Sequence, residues 1–114
     1  MPRRTGVLIV VFDFSAISDD EFHEWYDTEH IPAILRVPGF VSARRFTLVH
    51  NPNSPEPQSA RPKFLTIYDM ADRRATENPA FHRAGATPWS NRVRNWATRR
   101  ARVMAQQITR QTRA

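Results

Sequence analysis

The sequence predicts one α+β domain with four strands and two helical regions in the order β-α-β-β-α-β. Three observations support this order: a continuous apolar run near the start, a well-capped helix directly after it, and an alternating segment near the end. A chain of 114 residues with 40% hydrophobic content is enough for a single domain, residues 1–114, with one ordinary core.

The first strand is predicted over residues 6–13. This run is apolar at nearly every position and rich in valine and isoleucine. A strand that is apolar on both sides is typical of the centre of a sheet that is covered on both faces. We therefore expect it to be a central strand.

A helix is predicted to begin after Ser18, which precedes three acidic residues and has Glu21 three positions further on. Its apolar face is supplied by Phe22, Trp25, Tyr26, Ala33 and Ile34. The Pro38–Gly39 pair should end it. Pro32 lies inside this helix and cannot donate to the carbonyl of Thr28, so we expect a kink or a loosened turn near His30.

The second and third strands are predicted over residues 41–49 and 64–69. Between them, residues 50–62 carry four prolines together with Asn and Ser, which predicts an exposed loop. Residues 72–96 have a helical pattern that Pro79 and Pro88 interrupt, with Thr87 as the expected N-cap before the second proline. Two or three helical pieces should result. Residues 101–108 alternate between two faces, which favours a fourth strand.

This order is the split ferredoxin-like arrangement, an antiparallel four-stranded sheet with both helical regions on one face. The first strand is too apolar to leave the other face in water, and the chain has no further element to cover it. A second copy of the sheet would cover it, so we expect a homodimer.

The formal net charge of +6 raises the possibility of nucleic-acid binding. However, 16 of the 17 basic residues are arginine, and the charge is divided between an acidic segment, residues 13–29, and an arginine-rich one, residues 92–113. These segments can pair with each other, so no nucleic-acid partner is expected. No run is long enough to span a membrane and no signal peptide is recognised, which predicts a cytoplasmic protein without a membrane partner.

The chain contains no cysteine, which excludes disulfides, thiolate nucleophiles and cysteine-ligated metals. His23, Asp27 and His30 are spaced by four and three residues, as in a two-histidine, one-carboxylate metal site. The acidic surroundings and the break at Pro32 favour a solvated stripe instead. We expect neither a metal nor any other cofactor.

Several motifs resemble the dimeric α+β barrel superfamily, and specifically its EthD-like branch. They are the Trp-Tyr pair at 25–26, His-Ile-Pro at 30–32, Pro-Gly-Phe at 38–40 and the arginine pair at 44–45, with Asn-Pro-Ala-Phe at 78–81 and Thr-Pro-Trp-Ser at 87–90 further on. The resemblance covers about residues 6–108. It implies the barrel-forming dimer and relatives that include lactone isomerases, polyketide cyclases, dehydratases and cofactor-independent oxygenases.

His30 is the strongest catalytic candidate, because an imidazole with a pKa near neutrality can both take and return a proton. The alternative is a structural histidine that caps a broken helix end. Tyr26 lies one turn earlier on nearly the same face and could orient the imidazole or a substrate oxygen. Arg44 and Arg45 must face opposite sides of the sheet, and we assign Arg45 to the site as the group that stabilises negative charge. The alternative for this arginine is an ion pair with the acidic helix or with a partner subunit.

Further side chains are candidates for binding substrate or supporting His30. Asp27 and Glu29 flank the histidine and could hold it in one tautomer, or could be simply solvated. The aromatic residues Trp25, Tyr68 and Trp89 could form pocket walls, although each could equally be core.

These residues predict a cofactor-free lyase or isomerase, of the dehydratase or cyclase type, that acts by histidine acid–base catalysis on a small cyclic or aromatic oxygen-bearing compound. Two alternatives remain open. One is a non-catalytic protein of the same fold that binds small molecules. The other is a cofactor-independent oxygenase, in which a histidine base deprotonates a phenol that reacts directly with oxygen.

Overall fold

A computed structural model describes residues 5–14, 18–49, 51–53 and 64–113 of the chain. Four strands and four α-helices lie in these ranges, with a π-helical turn between α1 and α2 and a 3₁₀ helix before α3. Their bounds are β1 Gly6–Phe14, α1 Asp19–Glu24, the π-helical turn Trp25–His30, α2 Ile31–Leu35, β2 Phe40–Thr47, β3 Phe64–Met70, the 3₁₀ helix Arg73–Glu77, α3 Pro79–Ala84, α4 Pro88–Asn95 and β4 Ala97–Gln106.

The strands form one antiparallel sheet in the order β2-β3-β1-β4. The central strand β1 pairs with both β3 and β4, so that Val10 faces Thr66 on one side and Arg102 on the other. With the helices inserted after β1 and after β3, this is the ferredoxin-like topology. The predicted element order and the central place of the first strand are confirmed.

The two faces of the sheet differ in what they contact. Alternate residues of β1 and β3 are buried against the helices and form most of the core. The residues between them, including Ile9 and Ile67, are half-buried on the opposite face. On that face the apolar side chains of Phe46 and Val103 are 40% and 56% exposed. Hereafter we call it the open face.

The first helix begins as its sequence predicts. The Ser18 Oγ accepts a hydrogen bond from the Glu21 backbone N–H at 3.1 Å, and Asp19 and Asp20 lie in the first turn. The predicted loosened turn is also confirmed, and it is a full π-helical turn in which the Ile31 N–H reaches back to the Tyr26 carbonyl. Because Pro32 has no N–H, it leaves the α-helical ladder incomplete at this point.

A tight turn at Pro38 and Gly39 leads from α2 into β2. Gly39 has a φ of +100°, and a Cβ added there would lie 2.7 Å from the Ala75 Cβ. Only glycine is therefore compatible with both the backbone conformation and the close approach of the 3₁₀ helix. β2 begins directly at Phe40, one residue before the predicted start.

The second helical region consists of three short pieces, as expected. The Asn78 side chain caps α3 by accepting from the Ala80 N–H at 2.9 Å, and the Thr87 hydroxyl caps α4 by accepting from the Ser90 N–H at 3.0 Å. Pro79 and Pro88 follow these caps in the first turns. None of the helices within the described ranges is long and apolar enough to cross a bilayer.

β4 differs from its predicted bounds. It begins at Ala97, four residues before the predicted start, because residues 97–100 continue the pairing with β1 through a register shift at Asp13 and Phe14. These residues include two arginines and show no apolar alternation, so their pattern gave no strand signal.

In the predicted loop over residues 50–62, only residues 51–53 are described, as an exposed turn, and the rest lies outside the described residues.

Candidate active site

A cavity of about 210 Å³ lies between the helices and the β1–β4 half of the sheet. Buried side chains of β1, β3 and the π-helical turn line its interior: Leu8, Val10, Phe12, Trp25, Tyr26 and Tyr68. The lining residues that reach solvent are His82, Ala86, Arg100 and Arg102, which places its mouth between α3 and β4. A concave, mostly apolar site with a few polar groups is the usual form of a small-molecule site.

His30 lies in the wall of this cavity and contacts two aromatic rings. Its imidazole stacks on the Trp25 indole with centroids 4.5 Å apart and an interplanar angle of 18°, and it meets the Tyr26 ring edge-on at 5.5 Å. In an α-helix, residues five apart would point about 140° away from each other. The wider π-helical turn brings Trp25 and His30 onto one side instead.

The His30 imidazole is neutral at physiological pH. Burial, together with the smaller effect of the positive charges of Arg94 and Arg102, lowers its pKa from 6.5 to about 4. Its Nδ1 atom is buried and has no hydrogen-bond partner among the described residues. Nδ1 therefore does not cap a helix end by bonding to a carbonyl.

Two tyrosines lie beside His30 at the inner end of the cavity. Tyr26 comes from the π-helical turn and Tyr68 from β3, and each is only 2% exposed. Burial raises the pKa of both hydroxyls, well above the ordinary value for Tyr68, so both stay protonated and can donate a hydrogen bond. The two hydroxyls lie close enough to each other to interact, and the Tyr26 hydroxyl also contacts Thr66.

Sequence reasoning missed three arginines that line the cavity. Arg100 and Arg102 project from β4, opposite Phe12 and Val10 of β1, and Arg94 projects from α4. The alternation of residues 101–108 does place Arg102 on one face of a strand. However, only the pairing with β1 shows that this face is the one the helices cover.

Arg45 lies elsewhere, although it is on the helix-facing side of β2. Its guanidinium pairs with the Asp27 carboxylate at 3.1 Å and lies 2.8 Å from His23 Nδ1, beyond the cavity wall. It also covers the Tyr26 ring at 4.6 Å from the centroid, so it supports Tyr26 from outside the cavity. Arg44 points to the open face and pairs with Asp69, so the expected opposite orientation of the two arginines is confirmed.

The two carboxylates that flank His30 in sequence do not line the cavity. Asp27 is held by Arg45, whereas the Glu29 carboxylate accepts a hydrogen bond from the Thr87 hydroxyl at 2.8 Å. The Thr87 and Ser90 hydroxyls lie 2.9 Å apart, and the Ser90 Oγ accepts from the Trp25 Nε1–H at 3.1 Å. This hydrogen-bonded chain joins the π-helical turn to α4.

Two other predicted features are placed as follows. Trp89 packs against the core without lining the cavity, and its Nε1 is buried with no partner among the described residues. The stripe of His23, Asp27 and His30 does not converge, because the first two meet Arg45 while His30 points into the cavity. No group of three metal-binding side chains occurs in the part of the chain that the structure describes.

No protein-family model and no curated protein matches the sequence. Solved structures do match the fold. An EthD family protein from Bacillus halodurans superposes with a TM-score of 0.54 at 14% identity, over 91% of this chain and 99% of that one. The chain therefore has a ferredoxin-like fold, as the sequence predicts.

Two enzymes share this ferredoxin-like fold. SnoaB, a cofactor-independent oxygenase from Streptomyces nogalater, matches with a TM-score of 0.55 at 17% identity, over 96% of each chain. A hydroxynitrile lyase from Passiflora edulis matches with a TM-score of 0.58 at 8% identity, over 96% of this chain and 100% of that one. At these identities the likeness concerns the fold alone, because one fold hosts many activities.

Proposed function

We propose that the chain is a cofactor-free lyase or isomerase in which His30 transfers protons to and from a small cyclic or aromatic oxygen-bearing substrate. The observation that carries this proposal is a neutral imidazole, with Nδ1 free of any partner among the described residues, in the wall of an apolar cavity beside two protonated tyrosines. A base next to hydrogen-bond donors is what proton abstraction beside a carbonyl needs.

The reaction begins with removal of a proton from the carbon next to a substrate carbonyl. His30 takes this proton, and the electron pair of the broken C–H bond moves onto the carbonyl oxygen to form an enolate. Tyr26 or Tyr68 donates a hydrogen bond to that oxygen, and Arg102 lies at the same cavity with its positive charge. Both tyrosines act as donors because their raised pKa values keep them protonated.

Two outcomes then follow with the same groups. In an isomerase, the His30 imidazolium returns the proton to a different carbon. In a dehydratase, the enolate electron pair expels a hydroxide that takes the His30 proton and leaves as water. An imidazolium with a low pKa gives up its proton readily, so the second half of either reaction is favoured.

The proposal includes a homodimer that packs the open face of one copy against that of another. Valine, isoleucine, leucine and phenylalanine side chains lie on this face, and Phe46 and Val103 are more than one third exposed. An apolar face of this extent is stabilised by burial against a matching surface.

SnoaB and the hydroxynitrile lyase support the enzyme proposal only as examples of catalysis on this fold.

One observation favours a second candidate function, that of a non-catalytic protein that binds small molecules. With a pKa of about 4, His30 is a weak base in the empty cavity, and the aromatic walls suit binding alone. The two functions differ in whether a bound compound is converted.

The experiment is a turnover screen with cyclic ketones, lactones and hydroxy-aromatic compounds, on wild type, His30→Ala and His23→Asn. His23 lies outside the cavity and so controls for loss of an imidazole. We expect His30→Ala to keep its circular dichroism spectrum and oligomeric state but lose turnover. Equal activity in wild type and His30→Ala would remove His30 from the mechanism. Binding without conversion supports the second candidate, and turnover that requires oxygen supports an oxygenase.

A further inference from the structure

Three guanidinium groups on the cavity have no acidic partner among the described residues. Arg100 and Arg102 form no ion pair there, and the side-chain bond of Arg94 is to the neutral amide of Asn91. The described lining contains no Asp or Glu. Four arginines elsewhere do pair with carboxylates: Arg44, Arg45, Arg74 and Arg92.

The positive charges of these three arginines act on one another, and two of them act on His30. Burial lowers the pKa of Arg100, and the charges of Arg102 and Arg94 lower it further. Arg94 and Arg102 also lower the pKa of His30. Three cations that affect one another and a nearby histidine lie close enough to act on one bound group. A cleft lined by one sign of charge attracts ligands of the opposite sign.

We propose that the ligand of this cavity is an anion, a compound with a single ring and a carboxylate, which Arg94, Arg100 and Arg102 bind at the mouth. The proposal deepens the proposed function, on which it rests for the reaction, and it names the substrate class. A guanidinium binds a carboxylate through two parallel hydrogen bonds, and a carboxylate on a ring is small enough for this cavity. The ring then lies deeper, against Trp25 and Tyr68.

The size of the cavity agrees with one ring and its substituents. An apolar cavity of about 150 Å³ is enough for benzene. At about 210 Å³, this one has further room for a carboxylate and one or two small groups. The division between a buried aromatic end and an exposed cationic end sets the orientation of the ligand, with its ring beside His30.

Binding of an anion also changes His30. The charged and titratable groups that face the same cavity are Tyr26, Tyr68, His82, Arg94, Arg100 and Arg102. A carboxylate offsets the positive field of the arginines, so the pKa of His30 rises when the ligand is present. His30 therefore becomes a stronger base only with substrate in place.

The test measures Kd for benzoate and for its neutral analogue benzamide by calorimetry, with wild type, Arg102→Gln and Arg83→Gln. Arg83 is an exposed residue of α3 outside the cavity, so its variant makes the same charge change elsewhere. We expect benzoate to bind at least about tenfold more tightly than benzamide, as for a charge-assisted contact. Arg102→Gln should remove this preference and Arg83→Gln should keep it. If Arg102→Gln does not fold, Arg100→Gln carries the same expectation.

A second measurement follows the His30 imidazole protons by NMR during a pH titration with and without saturating benzoate. We expect the pKa to rise by about one unit or more with benzoate. Equal affinities for benzoate and benzamide, or an unchanged pKa, overturn the inference. Benzoate binding without turnover of any carboxylate compound contradicts the proposed function and leaves the anion site standing. Turnover that depends on His30 and is confined to neutral compounds would support the proposed function and contradict the anion site.

Discussion

The imidazole of His30 lies flat on the indole of Trp25, with ring centroids 4.5 Å apart. Trp25 is itself fixed, because its Nε1–H donates to the fully buried Ser90 hydroxyl at 3.1 Å. The position of the proposed base therefore depends on a hydrogen bond between the π-helical turn and α4. Removing that bond should affect both stability and the orientation of His30.

Ser90→Ala is expected to lower the free energy of unfolding by about 1–3 kcal/mol, because it leaves the buried Trp25 N–H without its acceptor. Urea unfolding measures this loss. Trp25→Phe removes the donor as well, so the double variant Trp25→Phe/Ser90→Ala should lose less than the sum of the single losses. Strictly additive losses would show that the two side chains do not interact.

The stability of the protein should fall in mild acid because of His30. The unfolded chain binds a proton on this histidine below its ordinary pKa of 6.5, whereas the folded protein does so only near pH 4. From pH 6.5 down to 4 the unfolded state thus holds more protons, and the free energy of unfolding decreases by up to about 3 kcal/mol. This fall is tested by measuring the free energy of unfolding of wild type and His30→Asn by chemical denaturation between pH 6.5 and 4. The variant should lack this part of the pH dependence, and parallel curves would contradict the buried, neutral state of His30.

Gly85→Ala is expected to narrow the cavity with little cost in stability. The added methyl group would lie 3.5 Å from Arg94 Nη1 and 4.0 Å from His30 Cε1, and Gly85 has a φ of −94°, which alanine adopts without strain. One methyl group in a binding site changes affinity by about tenfold or more. We expect weaker benzoate binding by that factor in calorimetry, with an unchanged melting temperature. Unchanged binding would place the ligand elsewhere.

Gly39→Ala makes the same substitution as Gly85→Ala, but at a strained position. It should lower stability and leave benzoate binding unchanged. Its φ of +100° and the 2.7 Å approach to the Ala75 Cβ predict a loss of about 1–3 kcal/mol in unfolding free energy. Gly39 does not line the cavity, so benzoate affinity of the folded fraction should be kept. Stability equal to wild type would mean that this turn relaxes without cost.

Val103→Glu tests the proposed dimer. Val103 lies on the open face and is 56% exposed in one chain, and a buried carboxylate there would oppose the packing of two copies. We expect a shift from dimer to monomer in sedimentation experiments. Leu35→Glu, at the end of α2, introduces the same charge away from the sheet and should remain dimeric. A dimer in both variants would locate the interface elsewhere.

Local signals in the sequence predicted much of the fold. The cap at Ser18, the break at Pro32 and the cap at Thr87 each depend on residues within a few positions of one another, so their effects can be inferred without the structure. His30 was also identified from a local signal, because Pro32 disturbs the helical turn that contains His30. The anchoring of Trp25 by Ser90 joins residues 65 positions apart and left no such signal.

The electrostatics of the site could not be predicted in the same way. Arg45 was assigned to the cavity, but its guanidinium forms the alternative ion pair, with Asp27 of the acidic helix. Arg100 and Arg102 enter the cavity because β4 pairs with β1 in the register that sets them opposite Phe12 and Val10, on the face that the helices cover. A register of this kind is set by long-range pairing, which local alternation does not specify.

The π-helical turn makes the pairing of Trp25 and His30 tolerant of a single-residue deletion. Its hydrogen bonds enclose one residue more than those of an α-helix, so loss of Thr28 would allow the segment to close as an ordinary α-helix. Trp25 and His30 would then be four positions apart, and at about 100° of rotation per residue they would still lie on the same side of the helix, about 40° apart. The two rings could therefore stay in contact in a shorter chain. What the extra residue changes is the backbone between them and not the side of the helix that faces the cavity.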